Sequence, residues 1–299
     1  MKSNGQMAGY YRCVVRNADG STKRDYGWHS NVLLNQGRDF PGKYDQFLAY
    51  CHVGLGNTPA QVTDANLETF EVSTAAAGAG VPTAQSTPPY YGAMTFLYTF
   101  DGADIIGAHT IKEVGTGRLV TNTGLFSRMV LPEAIVMLVD EVLDVYYELR
   151  IYPDHLTTTS TTITISSIVY AIDIRACNVT SSAHWGAGIG DKFLARPAVD
   201  WLCWAGGAAI GPVTGQPSGV EIAGGGDGTT NSEYADGSFQ STAQISYGSP
   251  RGNHASHFAA CMVNVSSGVY QIVFDPPIPK SAAERLILEW THSWSRKTL

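Results

Sequence analysis

Charge is scarce in this sequence. Asp, Glu, Lys and Arg make up 15% of its 299 residues, against roughly 25% in an average soluble domain. Basic clusters are scarcer still: the net charge is −7, and the tight basic groups are no more than the pairs Lys23-Arg24 and Arg296-Lys297. Neutralising a phosphate backbone takes several clustered cations, so direct nucleic-acid binding is not expected. No run reaches ~18 apolar residues, so no transmembrane helix is expected. The opening MKSNGQMAGYYRC lacks the apolar core of a signal peptide. The expectation is a chain made in a cytosol, which would act outside the cell only after another route of release, such as lysis.

The five cysteines (Cys13, Cys51, Cys177, Cys203, Cys261) lie far apart with no CxxC pair, which disfavours a zinc ribbon or a thioredoxin-type redox site. They read as small core residues of a protein made in reducing surroundings. GxSxG, HExxH and Walker A patterns are also missing, so none of the common catalytic signatures is on offer.

What fills the composition instead is Gly, Ser, Thr and Tyr. That mixture suits β-sheets joined by many turns. It also suits surfaces that meet other proteins, because charge is depleted from interface cores. A neutral-surfaced secreted or viral β protein fits the same composition. The length allows one large or two ordinary domains.

The clearest local signal is the alternation in Val142–Pro153. Leu143, Val145, Tyr147, Leu149 and Ile151 point one way; Asp144, Tyr146, Glu148, Arg150 and Tyr152 point the other. Successive strand side chains face opposite sides of a sheet, so this is a strand with one face in a core and one against water or a partner. Tyr10–Val15 reads as a strand that turns at Asn17–Gly20 and returns over Lys23–Leu34, Asp-Gly being a strong turn signal. Asp39–Tyr50 is the best helical candidate, with Phe40, Tyr44, Phe47 and Leu48 at i, i+4, i+7, i+8 and Pro41 in the first turn.

Cys51–Gly56 is expected as a short strand, and Val72–Pro89, rich in Thr, Ala, Gly and Pro, as an extended surface loop. Strands follow at Met94–Phe100, Ile105–Val114 and Leu125–Leu131. Thr157–Thr162 flows into Ile163–Arg175, and the change of phase near Ser166-Ser167 predicts a bulge or a tight turn. Ser181–Gly190 reads as a linker. Trp201–Gly248 reads as a long loop or a meander of weak strands around GGGDGTTNS. Strands return at His257–Val265, Tyr270–Phe274 and Leu286–Trp294. FSRMVLPE before Leu143–Ile151 and YQIVFDPPIPK before Leu286–Trp294 hint at an internal duplication. The expected fold is all-β and mainly antiparallel, with one short helix and two β-sandwich-like domains in series. These are residues 1–180 and a Gly-rich C-terminal domain, 181–299.

Candidate chemistry is thin. Gly186–Gly190 lacks the GxGxxG spacing, and a hinge is the default. His254 and His257 are spaced HxxH, which on a strand or loop does not converge on one metal; His52, His109, His184 and His292 are scattered. Asp227 offers one carboxylate where calcium needs six or more oxygens. Asp140, Glu141, Asp144 and Glu148 form an acidic cluster that could mimic the paired carboxylates of a glycosidase, but a mixed polar sheet face is the better reading. No metal or other cofactor is expected. Tyr146, Tyr152, Trp185, Trp201 and Trp204 are the candidates for an interface or for stacking on sugar rings, with core packing as the competing use of large aromatics.

Five motifs, in order, carry a resemblance: AYCHVGLGNTPAQVTDANL (Ala49–Leu67), KEVGTG (Lys112–Gly117), GLFSRMVL (Gly124–Leu131), VLDVYYELRIYP (Val142–Pro153) and FDPPIPKSAAERLILEWTHSWSR (Phe274–Arg296). Together they resemble virion structural proteins of tailed bacteriophages, of the tail or tail-fibre-associated kind. The resemblance implies a non-enzymatic, β-rich subunit that forms homo-oligomers and meets other virion proteins in the tail, neck, collar or fibre apparatus. Capsid decoration and recognition of a host-surface glycan by a tail fibre are the alternatives, and a depolymerase is a third reading that would need facing carboxylates. The segment 205–248 is the least family-like.

Overall fold

The computed structural model describes all residues except 79, 106–109, 182–197, 223–226, 250, 266, 267 and 299; of 198–201 it describes the backbone alone. The chain is all-β, in three mostly antiparallel sheets that include a curled half-barrel. The central sheet runs β15 (Gly228–Asn231), β16 (Gln240–Tyr247), β19 (Leu286–Arg296), β1 (Lys2–Arg16), β10 (Val142–Pro153), β7 (Gly92–Asp101) and β6 (Val81–Ala84), with β2 (Thr22–Ser30) also paired to β1. A second sheet runs β3 (Val32–Leu33), β9 (Leu125–Val136), β8 (Thr110–Gly117), β4 (Tyr50–Gly54) and β5 (Phe70–Ala75). A third runs β11 (Thr159–Ile165), β12 (Ile168–Cys177), β18 (Gly268–Ile278), β17 (Phe258–Val265), β13 (Ala198–Ala205) and β14 (Glu221–Ile222).

The two smaller sheets each cover part of the central one. Leu143, Val145, Tyr147, Leu149 and Ile151 of β10 are fully buried and pack with residues of β1, β4, β7, β8 and β9 in one core. Ile245, Tyr247, Leu288 and Trp290 of β16 and β19 pack with β12, β17 and β18 in a second. β1 joins the two, antiparallel to β10 and parallel to β19 over Lys2–Met7. Along β19, Leu286, Leu288, Trp290, His292 and Trp294 are all buried, with Trp290 in the second core and Trp294 in the first.

The strand order repeats. In the central sheet β6-β7-β10 is matched by β15-β16-β19; in the smaller sheets β3-β9-β8-β4-β5 is matched by β12-β18-β17-β13-β14. β9 and β18 even share one burial pattern: five buried residues, then half-buried, buried, two exposed, half-buried and buried. The duplication hinted at by the Pro-punctuated segments is therefore a correspondence of strand pairing. The composition break near 180 is not where the second set of strands begins, because β12 pairs with β18 over Ala171–Cys177 and lies in the second set's sheet.

Two local expectations need correction. The helix over 39–50 is only a 3₁₀ turn (Gly37–Asp39) followed by α1 (Phe40–Lys43). The backbone is extended at Tyr44 and has positive φ at Gln46, so Phe47 and Leu48 enter the first core from a loop. The expected loop at 72–89 holds most of β5 and all of β6, which extend two sheets. The phase change at Ser166-Ser167 is a tight turn, both residues having positive φ.

Candidate functional site

The outer face of the central sheet carries the most developed side-chain surface. Registers align Gln6 with Tyr152, Ala8 with Arg150, Tyr10 with Glu148, Arg12 with Tyr146 and Val14 with Asp144 on β1 and β10. β7 sets Ala93, Thr95, Leu97 and Thr99 beside Arg150, Glu148, Tyr146 and Asp144. Alternation thus delivers three strands' worth of polar and aromatic groups to one face while their neighbours fill the core.

The charges on this face are matched locally. Arg16 donates to Asp144 at 2.8 Å and the Thr99 hydroxyl to the same oxygen at 2.9 Å. Arg12 pairs with Asp25 of β2 and sits 5.6 Å from the Tyr146 ring centroid. Arg150 pairs with Glu148 at 2.5 Å and lies over both Tyr10 (4.0 Å) and Tyr91 (4.7 Å). Burial opposes the Arg150 charge, but Glu148, with Tyr152 and Tyr91, holds the guanidinium pKa above its ordinary value. At the end of the face Tyr91 packs on Tyr152 at 5.2 Å, and the Lys297 ammonium lies 5.0 Å from the Tyr152 ring centroid. Burial, and then Tyr10, push the Tyr152 phenol up, so it stays neutral. Beside it is a groove of about 420 Å³ lined by Asn4, Gln6, Tyr152, Asp154, His155 and Lys297, among others. Stacked guanidinium and aromatic groups offer desolvated, low-charge contact area, the chemistry of a protein interface or a sugar platform.

The candidates from sequence separate on this map. Tyr146 is half-buried in the middle of the face, and Tyr152 is buried at its end by its own neighbours. Trp185 lies outside the described residues, as does the side chain of Trp201. Trp204 is 2% exposed and packs with Cys177, Ala260, Met262 and Val269; its ring has no accessible face, and core packing replaces the reading of it as a platform. At β13 both faces of the third sheet are covered, Cys203 and Ala205 facing one core and Trp204 the other. Glu141, Asp144 and Glu148 are each tied to a different cation, Lys23, Arg16 and Arg150. Among the described residues no group of three or more His, Cys, Asp or Glu is placed to hold a metal ion. Asp227 pairs with Arg251 at 3.4 Å, and Gly186–Gly190, His109 and His184 lie outside the described residues.

Three of the resemblance motifs meet at a second cluster. Arg128, 3% exposed, pairs with Glu113 (2.8 Å) and Asp64 (2.6 Å) and donates to the Thr58 carbonyl at 3.1 Å. Glu113, fully buried, also accepts from the backbone N–H of Gly56, Glu68 and Thr69. The cluster fastens the β4–β5 loop to the sheet; it is structural. The repeat explains its counterpart. Gln271 occupies the position in β18 that Arg128 holds in β9. It fastens the β13–β14 loop through two bonds to Gly211, accepting from N–H (2.7 Å) and donating to C=O (3.0 Å).

Sequence reasoning placed the β10 half of the outer face and missed Tyr10, Arg12, Tyr91 and Lys297. The alternation of β1 carried a signal for the first two; the others arrive through non-local pairing. Compared with family models, with curated proteins and with solved structures, the chain has no match.

Proposed function

We propose that this chain is a structural subunit of a bacteriophage particle, acting by assembly and not by catalysis, and joined to neighbouring virion proteins through sheet surfaces. The observation that carries the reading is the outer face of β1, β10 and β7: aromatic, low in net charge, and with Arg12, Arg16 and Arg150 each paired to a carboxylate. A partner that covers such a face buries these charges as pairs and not as lone ions, which avoids the heaviest desolvation cost. The five ordered motifs supply the particle context, and homo-oligomers are the expected state because virion parts repeat one patch by symmetry.

The test is the protein composition of purified particles from the phage that encodes the chain. Stoichiometric presence by mass spectrometry is the expected result; presence only in the soluble lysate overturns the reading. A second reading, recognition of a host glycan, draws on the groove beside Tyr152, where a ring is flanked by amide, carboxylate and ammonium groups. Oligosaccharide binding lost on Tyr152→Ala supports it, and binding unchanged by that substitution counts against it.

A further inference from the structure

Seven strands have a free edge among the described residues, and six of them are guarded. β3 and β14 are two residues long. β15 has four. β6 contains Pro82, β5 carries Glu71, and β2 carries Lys23, Arg24 and Asp25. Shortness, proline and charge are the devices that stop a sheet edge from recruiting another strand. β11 has none of them: its seven residues, Thr159-Ser-Thr-Thr-Ile-Thr-Ile165, are uncharged, free of proline and six of them β-branched. Thr159 to Thr162 and Thr164 are exposed. β11 also lies outside the internal repeat. The first unit ends at this edge of its sheet in the two-residue β3, whereas the second has a ten-residue β12 with β11 added beyond it.

We infer that β11 is a self-association edge: two copies of this chain pair β11 to β11, antiparallel about a two-fold axis, joining their six-stranded sheets into one. Charge favours a second copy as the occupant. A segment with no charge meets its own image without like-charge repulsion, and the hydroxyl pairs it would oppose, Thr162 with Thr162 and Ser160 with Thr164, are favourable in antiparallel sheets. The two-fold also fixes the register. The axis preserves the face of the sheet, so opposed residues share parity and one residue faces itself. Pairing all seven residues centres the axis on Thr162. Thr159 then faces Ile165, and the 156–159 end of each copy lies beside the Ser166-Ser167 turn of the other. Leu156, 87% exposed, stands at that end. The contact deepens the assembly reading and rests on it for its purpose, not for its geometry.

Cysteine substitution tests the register directly. Opposed Cα atoms in an antiparallel pair are about 4.5–5.5 Å apart, within the ~4.4–6.8 Å span of a disulfide, and the native cysteines are all buried. Thr162→Cys in the full chain is expected to give a disulfide-linked dimer under mild oxidation. Thr83→Cys, on the guarded edge β6, should not, and Thr162→Lys should lose the dimer by light scattering while keeping the wild-type circular dichroism spectrum. A cysteine scan over 160–164 in which no position crosslinks faster than Thr83→Cys overturns the proposal, as does a Thr162→Lys protein that keeps the wild-type mass. If the chain is present in particles yet fails the scan, the edge contact falls and the assembly reading stands. If the chain crosslinks yet is absent from particles, the edge contact stands and the assembly reading falls.

Discussion

Replacing Arg128 by Met should be among the most damaging single changes in the first unit, although no ligand or partner is involved. The guanidinium is 3% exposed and bridges Glu113 and Asp64. Without it, the fully buried Glu113 keeps only three backbone N–H donors, from Gly56, Glu68 and Thr69. Breaking a buried ion pair by removing one partner costs about 3–5 kcal/mol, a large share of the ~5–15 kcal/mol that holds a typical protein folded. Glu113→Gln should restore part of the loss: its carbonyl oxygen still accepts from the loop, and a neutral amide no longer leaves a buried charge. The double variant is therefore expected to be more stable than the sum of the single changes by roughly 1–3 kcal/mol. Urea unfolding midpoints give the cycle, and limited proteolysis within 55–69 gives the local opening. A loss under about 1 kcal/mol for Arg128→Met, the size of an exposed pair, would refute the reasoning, and so would strict additivity.

Other perturbations have equally definite outcomes. Burial lowers the His52 pKa from 6.5 to about 4 and that of His292 to about 3. Both stay neutral in the fold but protonate in the unfolded chain below about 6.5, so their contribution is complete above that pH and lost progressively below it. For His52 the shift is worth roughly 3 kcal/mol; His52→Phe should flatten the fall in stability between pH 7 and 4.5, and an unchanged slope would count against burial as its cause. Gln271→Leu should cost about 1–3 kcal/mol by leaving both Gly211 groups without their partner, and should raise protease cutting within 206–218 but not within 55–69. Trp204→Ala should cost about 3–5 kcal/mol as a core cavity and leave any oligosaccharide binding by the folded fraction unchanged.

Strand identity was legible wherever one face is buried. The alternation in β10 and β19 follows from period-two packing, the turn at Asp19-Gly20 from a glycine that accepts positive φ, and the turn at Ser166-Ser167 from the change of alternation phase. The helix over 39–50 was not. Its apolar spacing was genuine, but Pro41-Gly42 are poor interior helix residues, and Phe47 and Leu48 reach the core from a loop. Pairing order was largely hidden, because registers between β1 and β19, 289 residues apart at Lys2 and Thr291, leave no local trace. The repeat is one of strand order and not of residues, Arg128 in one unit standing where Gln271 stands in the other. At the outer face, half the site was visible in β10 alone. Trp204 misled because a strand covered on both faces buries its aromatics whichever way they point.

The most direct test of the account is hydroxyl-radical footprinting of the protein free in solution and within purified particles. The account predicts that Tyr10, Tyr91 and Tyr146 on the outer face are oxidised in the free protein and protected in the particle, while Phe70 on β5 of the second sheet, 36% exposed, changes less. Equal oxidation of the three tyrosines in both states would contradict the assignment of that face to assembly.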